Sequence, residues 1–161
     1  MSTDLPPDRR LDRIDRAILG VLAIDGRAPV TTIAARVGLS KSPCLTRIRR
    51  LERAGVIRGY RALLDPVAMG QPHVAFVEVK LRETGEAALS AFNSAVQEIP
   101  EIEQCHMIAG AFDYLLKVRT EDIAAYRRVL GERISTLPHV GHTATHVSMQ
   151  AVKDETGGED R

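Results

Sequence analysis

Residues 40 to 54, Ser-Lys-Ser-Pro-Cys-Leu-Thr-Arg-Ile-Arg-Arg-Leu-Glu-Arg-Ala, constrain this chain more than any other stretch. At about 100° per residue, Cys44, Leu45, Ile48 and Leu51 share one arc of a helix. Ser42, Pro43, Thr46, Arg50 and Arg53 fall on the opposite arc, with Arg47 and Arg49 beside it. Such a helix packs by one side and presents guanidinium groups on the other. Ser40 is placed to cap it, and Pro43 is tolerated because first-turn N–H groups have no partner within a helix. Just before it, Ile33 to Leu39 reads as a short apolar helix closed by Gly38. A short helix, a glycine turn and a basic helix form the layout of a helix-turn-helix DNA reader. An ordinary amphipathic helix with a solvated charged face is the plainer reading, and the preceding turn weighs against it.

Charge is segregated along the chain. Residues 1–64 hold 13 Lys+Arg against 6 Asp+Glu, whereas residues 65–161 hold 9 against 15, so a net charge of only +1 conceals a basic and an acidic half. That division suggests one domain that meets a polyanion and another with a different task. Tryptophan is absent and aromatics are 4% of residues, which argues against base-stacking surfaces for single strands. No apolar run reaches membrane-spanning length and no signal-peptide pattern opens the chain. Cys44 and Cys105 stand apart from any metal or disulfide spacing, so the expected location is a reducing cytoplasm.

Taken in order, residues 1–10 are expected as a flexible arm and 11–56 as the DNA-binding domain. Leu11, Ile14, Ile18, Val21 and Leu22 predict a first helix over 11–24, stopping at Asp25-Gly26. Thr31 or Thr32 is the expected cap of the second helix. Residues 57–72 read as a linking strand or hinge. Residues 73–153 then change period. Strands are predicted over 73–80, 103–109, 114–118 and 140–152, with helices over 87–96 and 123–134 and a turn at Gly110-Ala111-Phe112-Asp113. The order βαββαβ is a ferredoxin-like arrangement whose uncovered sheet face calls for a second subunit. The fold class is therefore α+β, an N-terminal helix-turn-helix (winged-type by the family resemblance given next) and a C-terminal ferredoxin-like domain, with a flexible tail over 154–161.

Several segments, in this order, resemble the Lrp/AsnC family of feast/famine transcription factors. They are Leu11-Asp12-x-Ile14-Asp15-x-x-Ile18-Leu19, the run Ser42 to Glu52, Gly55-Val56-Ile57-x-Gly59-Tyr60, and Gly110 to Val118. The likeness covers nearly the whole chain. It is nearest to the leucine-responsive branch and looser to regulators of proline or branched-chain amino-acid catabolism. The resemblance implies a homodimer formed through the C-terminal sheet, often assembled further into octamers. It also implies an amino-acid effector (leucine, proline or another) held near subunit interfaces, and no other cofactor.

On double-stranded DNA, Ser42, Pro43, Thr46, Arg47 and Arg50 are the candidate base readers, with Lys41, Arg49 and Arg53 on phosphates. Arginine can grip guanine with two N–H donors, whereas phosphate contacts supply affinity with little sequence information. The candidate effector site is the hairpin Gly110, Ala111, Phe112 and Asp113. There glycine would allow positive φ or close approach to a ligand, and exposed N–H groups could hold a carboxylate. Asp113 would take an α-ammonium or pin the turn. By family likeness Met107, Ile123, His146, Val147 and Ser148 join this site. Ala111, His146 and Ser148 depart from what the leucine-responsive branch would carry, which counts against leucine. His139, His142 and His146 lack the spacing and companions of a zinc site, and no nucleophile–base pair suggests an enzyme. The competing class is an architectural protein that wraps DNA without an effector.

Overall fold

The computed structural model describes residues 10–153; the expected arm and tail lie outside them, except for Arg10. The chain divides after Ala62 into two compact units. The first holds helices α1 (Arg13–Ile24), α2 (Val30–Val37) and α3 (Lys41–Arg53). Helix α1 starts where Asp12 accepts a hydrogen bond from the Asp15 N–H at 2.7 Å, while Asp15 accepts from the Asp12 N–H at 3.1 Å. This reciprocal capping box satisfies two N–H groups that a helix start otherwise leaves bare. Helix α2 does not start from Thr31 or Thr32. Its cap is Pro29, two to three residues earlier, whose φ is −59° and whose carbonyl accepts from the Thr32 and Ile33 N–H groups. Gly38 closes it at φ +71°, a left-handed conformation that favours glycine. Ser40 does occupy the cap position of α3, yet its side chain makes no capping bond.

The three helices bury one another's apolar arcs, with Ile18, Ile33, Ala34, Cys44, Ile48 and Leu51 at the centre. Cys44 is fully buried, and burial pushes its thiol above the ordinary value. It should therefore resist alkylation in the native protein and react only on unfolding, which mass spectrometry of iodoacetamide-treated samples would show.

Residues 57–72, expected as a linking strand or hinge, form no strand within this chain. A hydrogen-bonded turn occupies 66–70, with Met69 N–H donating to the Asp65 carbonyl and Gln71 N–H to that of Pro66. The second unit runs β1 (His73–Leu81), α4 (Glu86–Val96), β2 (Ile102–Met107), β3 (Tyr114–Thr120), α5 (Ile123–Val129) and β4 (Val140–Val147). The sheet is antiparallel throughout, in the order β2-β3-β1-β4. This is the ferredoxin-like α+β arrangement expected.

Alternation along β1 explains the layering. Ala75, Val77, Val79 and Leu81 are buried with Phe92 and Val96 of α4 and Tyr126 and Val129 of α5. Val74, Phe76, Glu78 and Lys80 point to the other face. There they neighbour Leu115, Lys117 and Arg119 of β3, and His142, Ala144 and His146 of β4. Lys117 and Arg119 are nonetheless largely buried, because both reach Glu103 on β2.

Strands β2 and β3 end two residues earlier and two later than expected, and two other ends differ more. The helix predicted over 123–134 is α-helical only to Val129 and continues as one π-helical turn over Leu130–Ile134, where the Ser135 N–H bonds the Leu130 carbonyl. Strand β4 stops at Val147 instead of 152. In this register Val74 and His73, the first residues of its partner β1, lie opposite Ser148 and Met149, so residues 150–152 have no strand residue to pair with.

Candidate functional site

Helix α3 sorts its candidates into two groups. Lys41, Ser42, Pro43, Thr46, Arg49 and Arg53 are exposed along it. Thr46 donates to the Ser42 carbonyl and Arg53 to that of Arg49, so both side chains lie along the helix surface. Arg47 and Arg50 are different. Expected as outward base readers, they are half-buried against α1. Arg47 Nη1 donates to Asp12 Oδ2 at 2.6 Å and Asp15 Oδ1 at 2.9 Å, and Arg50 Nη2 donates to Asp15 Oδ2 at 2.5 Å. The helical wheel placed Arg50 outward correctly in angle. A long side chain on either the outward arc or its flank can still fold back to a carboxylate on a neighbouring helix, which is the physical reason for the difference.

Asp15 stood in the first family-like segment of the sequence with no role attached to it. It is only 1% exposed yet ionised. Burial opposes its charge, but Arg50, the Asp12 N–H and Arg47 together outweigh that cost and hold its carboxyl below the ordinary value. Asp12 is held low mainly by the Asp15 N–H, then by Arg47. The Asp-x-x-Asp spacing is that of a capping box and was the one local signal available for these two residues. The pairing with arginines more than thirty residues away carried no local signal.

In the second unit the turn 108–113 joins β2 to β3. Gly110 and Ala111 are exposed, and Phe112 and Asp113 are half-buried. Gly110 does not have positive φ, so turn geometry does not require glycine there. A Cβ at that position would meet only the Ile108 side chain at 3.6 Å, an ordinary contact. Asp113 pins the turn: Oδ2 accepts the Leu81 N–H at 2.8 Å, Oδ1 faces Lys80 Nζ at 3.0 Å, and its own N–H donates to the Val79 carbonyl. Burial raises the cost of its charge, and the Leu81 N–H and Lys80 more than offset it, leaving the carboxyl below the ordinary range.

The remaining effector candidates are not gathered around this turn. Met107 is at the turn end of the sheet, opposite Tyr114. His146 and Val147 lie on the far edge strand, opposite Phe76 and Ala75, and Ser148 follows the strand. Ile123 opens α5 beyond the other end of β3. From Met107 to Val147 is about 14 Å across three strand spacings and about 13 Å along the strands. His146 and Val147, being adjacent in a strand, also face opposite ways; His146 Nε2 is 3.2 Å from Glu78 Oε1. His139 pairs with Glu83 at 2.8 Å. Among the described residues no three His, Cys, Asp or Glu side chains converge as metal ligands would. A cavity of about 600 Å³ opens between the turn at 69–71 and α5, lined by Arg119, Thr120, Arg128 and Glu132 among others, but by none of the candidates.

A three-helix unit with a basic third helix, followed by a ferredoxin-like unit with one uncovered sheet face, defines a two-domain DNA-binding regulator. Residues 11–52 match the AsnC-type helix-turn-helix domain and residues 74–157 the Lrp/AsnC ligand binding domain. The chain is 60% identical to the proline dehydrogenase transcriptional activator of Rhizobium radiobacter, over 91% of this chain and 94% of that one. It is 49% identical to the leucine-responsive regulatory protein of Escherichia coli strain K12, over 91% and 90%. Its fold superposes on an AsnC family transcriptional regulator from Agrobacterium tumefaciens with a TM-score of 0.85 at 35% identity, covering 89% and 94%. A transcriptional regulator from Neisseria meningitidis, solved as an L-Met complex, gives 0.85 at 32%, covering 92% and 96%. This chain belongs to the Lrp/AsnC family of transcriptional regulators, and it is not an enzyme.

Proposed function

We propose that this regulator binds a pseudo-palindromic duplex as a homodimer, with Ser42, Pro43 and Thr46 of α3 against base edges and Lys41, Arg49 and Arg53 on phosphates. Arg47 and Arg50 approach the same groove from their anchored positions. The observation that carries this reading is the exposed basic face of α3, on a helix whose opposite arc packs through Cys44, Ile48 and Leu51. Two such helices in a dimer would meet half-sites about one helical turn, or a multiple of it, apart.

The effector we propose is an amino acid, with proline first, and the regulated genes those of proline catabolism. Two relatives, at 60% and 54% identity, are named as proline dehydrogenase transcriptional activators. The turn 108–113 would bind the effector through its exposed backbone N–H groups. Its separation from Ile123 and His146 to Ser148 supports a site completed by a neighbouring subunit. The uncovered sheet face, with Phe76 and Leu115 among its charges, supports a second copy as its cover. Such a dimer would build the larger assembly in the cytoplasm.

Thermal unfolding with each of the twenty amino acids at millimolar concentration tests this, because a ligand of the native state raises the midpoint by mass action. Proline is expected to raise it by several degrees, and Asp113→Ala to abolish the response by releasing the turn. Silence toward all twenty amino acids would overturn the effector reading. Equal affinity for random DNA and for DNA upstream of the host's proline dehydrogenase gene would favour the architectural role.

A further inference from the structure

We infer that Asp15, assisted by Asp12, is a positioning residue that makes the α3 face selective: it withholds Arg47 and Arg50 from phosphates and holds their guanidinium groups in fixed orientation for bases. The inference rests on α3 being the DNA-reading helix. Its own evidence is the geometry of four side chains. Two guanidinium groups one turn apart on α3 converge on a single carboxylate that is almost wholly buried, and Asp12 adds a second anchor for Arg47. Both Asp15 oxygens are occupied, Oδ1 by Arg47 and Oδ2 by Arg50 and the Asp12 N–H.

Two consequences follow from elementary electrostatics. Asp12 and Asp15 offset the charge of the Arg47 and Arg50 pair. This part of the face therefore adds little to the counterion release that drives sequence-independent binding. A guanidinium already fixed by one carboxylate also loses less rotamer freedom when it meets a base. The side chains of Arg47 and Arg50 are 30% and 33% exposed, enough to present an edge and too little to sweep the surface. Lys41, Arg49 and Arg53 remain as the general polyanion contacts.

The test uses the full chain and two 30-base-pair duplexes, one of random sequence and one taken upstream of the host's proline dehydrogenase gene. Asp15→Asn keeps the shape of the side chain and releases the arginines. On random DNA it should tighten binding about 3- to 10-fold at low salt and steepen the log-affinity against log-salt slope by about one to two. The preference for the upstream duplex should fall at least tenfold. Adding Arg47→Gln and Arg50→Gln to Asp15→Asn should remove the extra slope. Glu52→Gln raises net charge equally without freeing either arginine, and so sets the baseline. Circular dichroism checks folding. Asp12→Asn, which leaves the buried carboxylate in place, should give a smaller shift of the same sign should Asp15→Asn fail to fold. A slope change no larger than that of Glu52→Gln, or one surviving loss of both arginines, would overturn the inference. Equal wild-type affinity for the two duplexes would instead overturn the sequence-specific reading of α3, with the slope comparison still deciding the role of Asp15.

Discussion

Replacing Asp15 by alanine is expected to destabilise the helical unit by about 2–4 kcal/mol, because it deletes charge-assisted bonds to Arg47 and Arg50 and half of a capping box. The upper figure is tempered by the partial exposure of both arginines, which water can solvate once released. The effect is large in context. Three short helices around Ile18, Ile33, Cys44, Ile48 and Leu51 form a small core, and units of this size are marginal. Chemical unfolding followed by circular dichroism at 222 nm should show the helical transition moving to lower denaturant. The transition of the sheet-bearing unit should stay in place.

The same residues give a pH signature. Asp12 and Asp15 are both held below the ordinary carboxylate value when folded. Their contribution is therefore complete above the unfolded value, near pH 4, and is lost as pH falls through the lower folded values. Wild-type stability should decline on acidification below about pH 4. Asp15→Ala, lacking the principal linked group, should decline less steeply over that window.

Phe92→Ala should act on the other unit, with a cost of about 3–5 kcal/mol. Phe92 is fully buried on α4, and its ring sits 4.3 Å, centroid to centroid, from that of Tyr114 at the start of β3. The substitution removes a large apolar side chain and an aromatic contact together, and leaves a void between α4 and the sheet. Near-ultraviolet circular dichroism should register the change, since the chain has no tryptophan and three tyrosines. Because Tyr114 directly follows the Asp113 turn, ligand response should weaken as well as stability. A Phe92→Leu variant should recover most of both.

Periodicity located the elements because each rests on a local pattern. Alternation in His73 to Lys80 and the three- and four-residue spacing of Ile123, Tyr126, Leu130 and Ile134 are written into consecutive residues. Element ends were less legible where the deciding group was elsewhere. Helix α2 starts from Pro29, whose carbonyl takes the Thr32 and Ile33 N–H groups without a side-chain cap, and β4 ends close to where β1 begins. Turn chemistry showed similar limits: Gly110 looked like a site of positive φ and is not, whereas Gly38 is. Side-chain partners were the least legible. Arg47 and Arg50 looked like solvent-facing readers until α1 supplied a carboxylate, and the candidates from Met107 to Ser148 looked like one site until the sheet placed them at opposite corners.

The sequence by itself determined the helix-turn-helix, the βαββαβ order, the segregation of charge and the family, all consequences of short-range spacing or of ordered segments along one chain. The tertiary structure alone decided that a buried Asp15 anchors two arginines of α3, that Asp113 pins its turn through Lys80 and Leu81, and that the effector candidates divide into two groups. Those facts depend on which residues far apart in the chain share a few ångströms of space. Spacing along the chain does not record that distance, whereas the low dielectric of a packed interior makes it the quantity that sets charge and geometry.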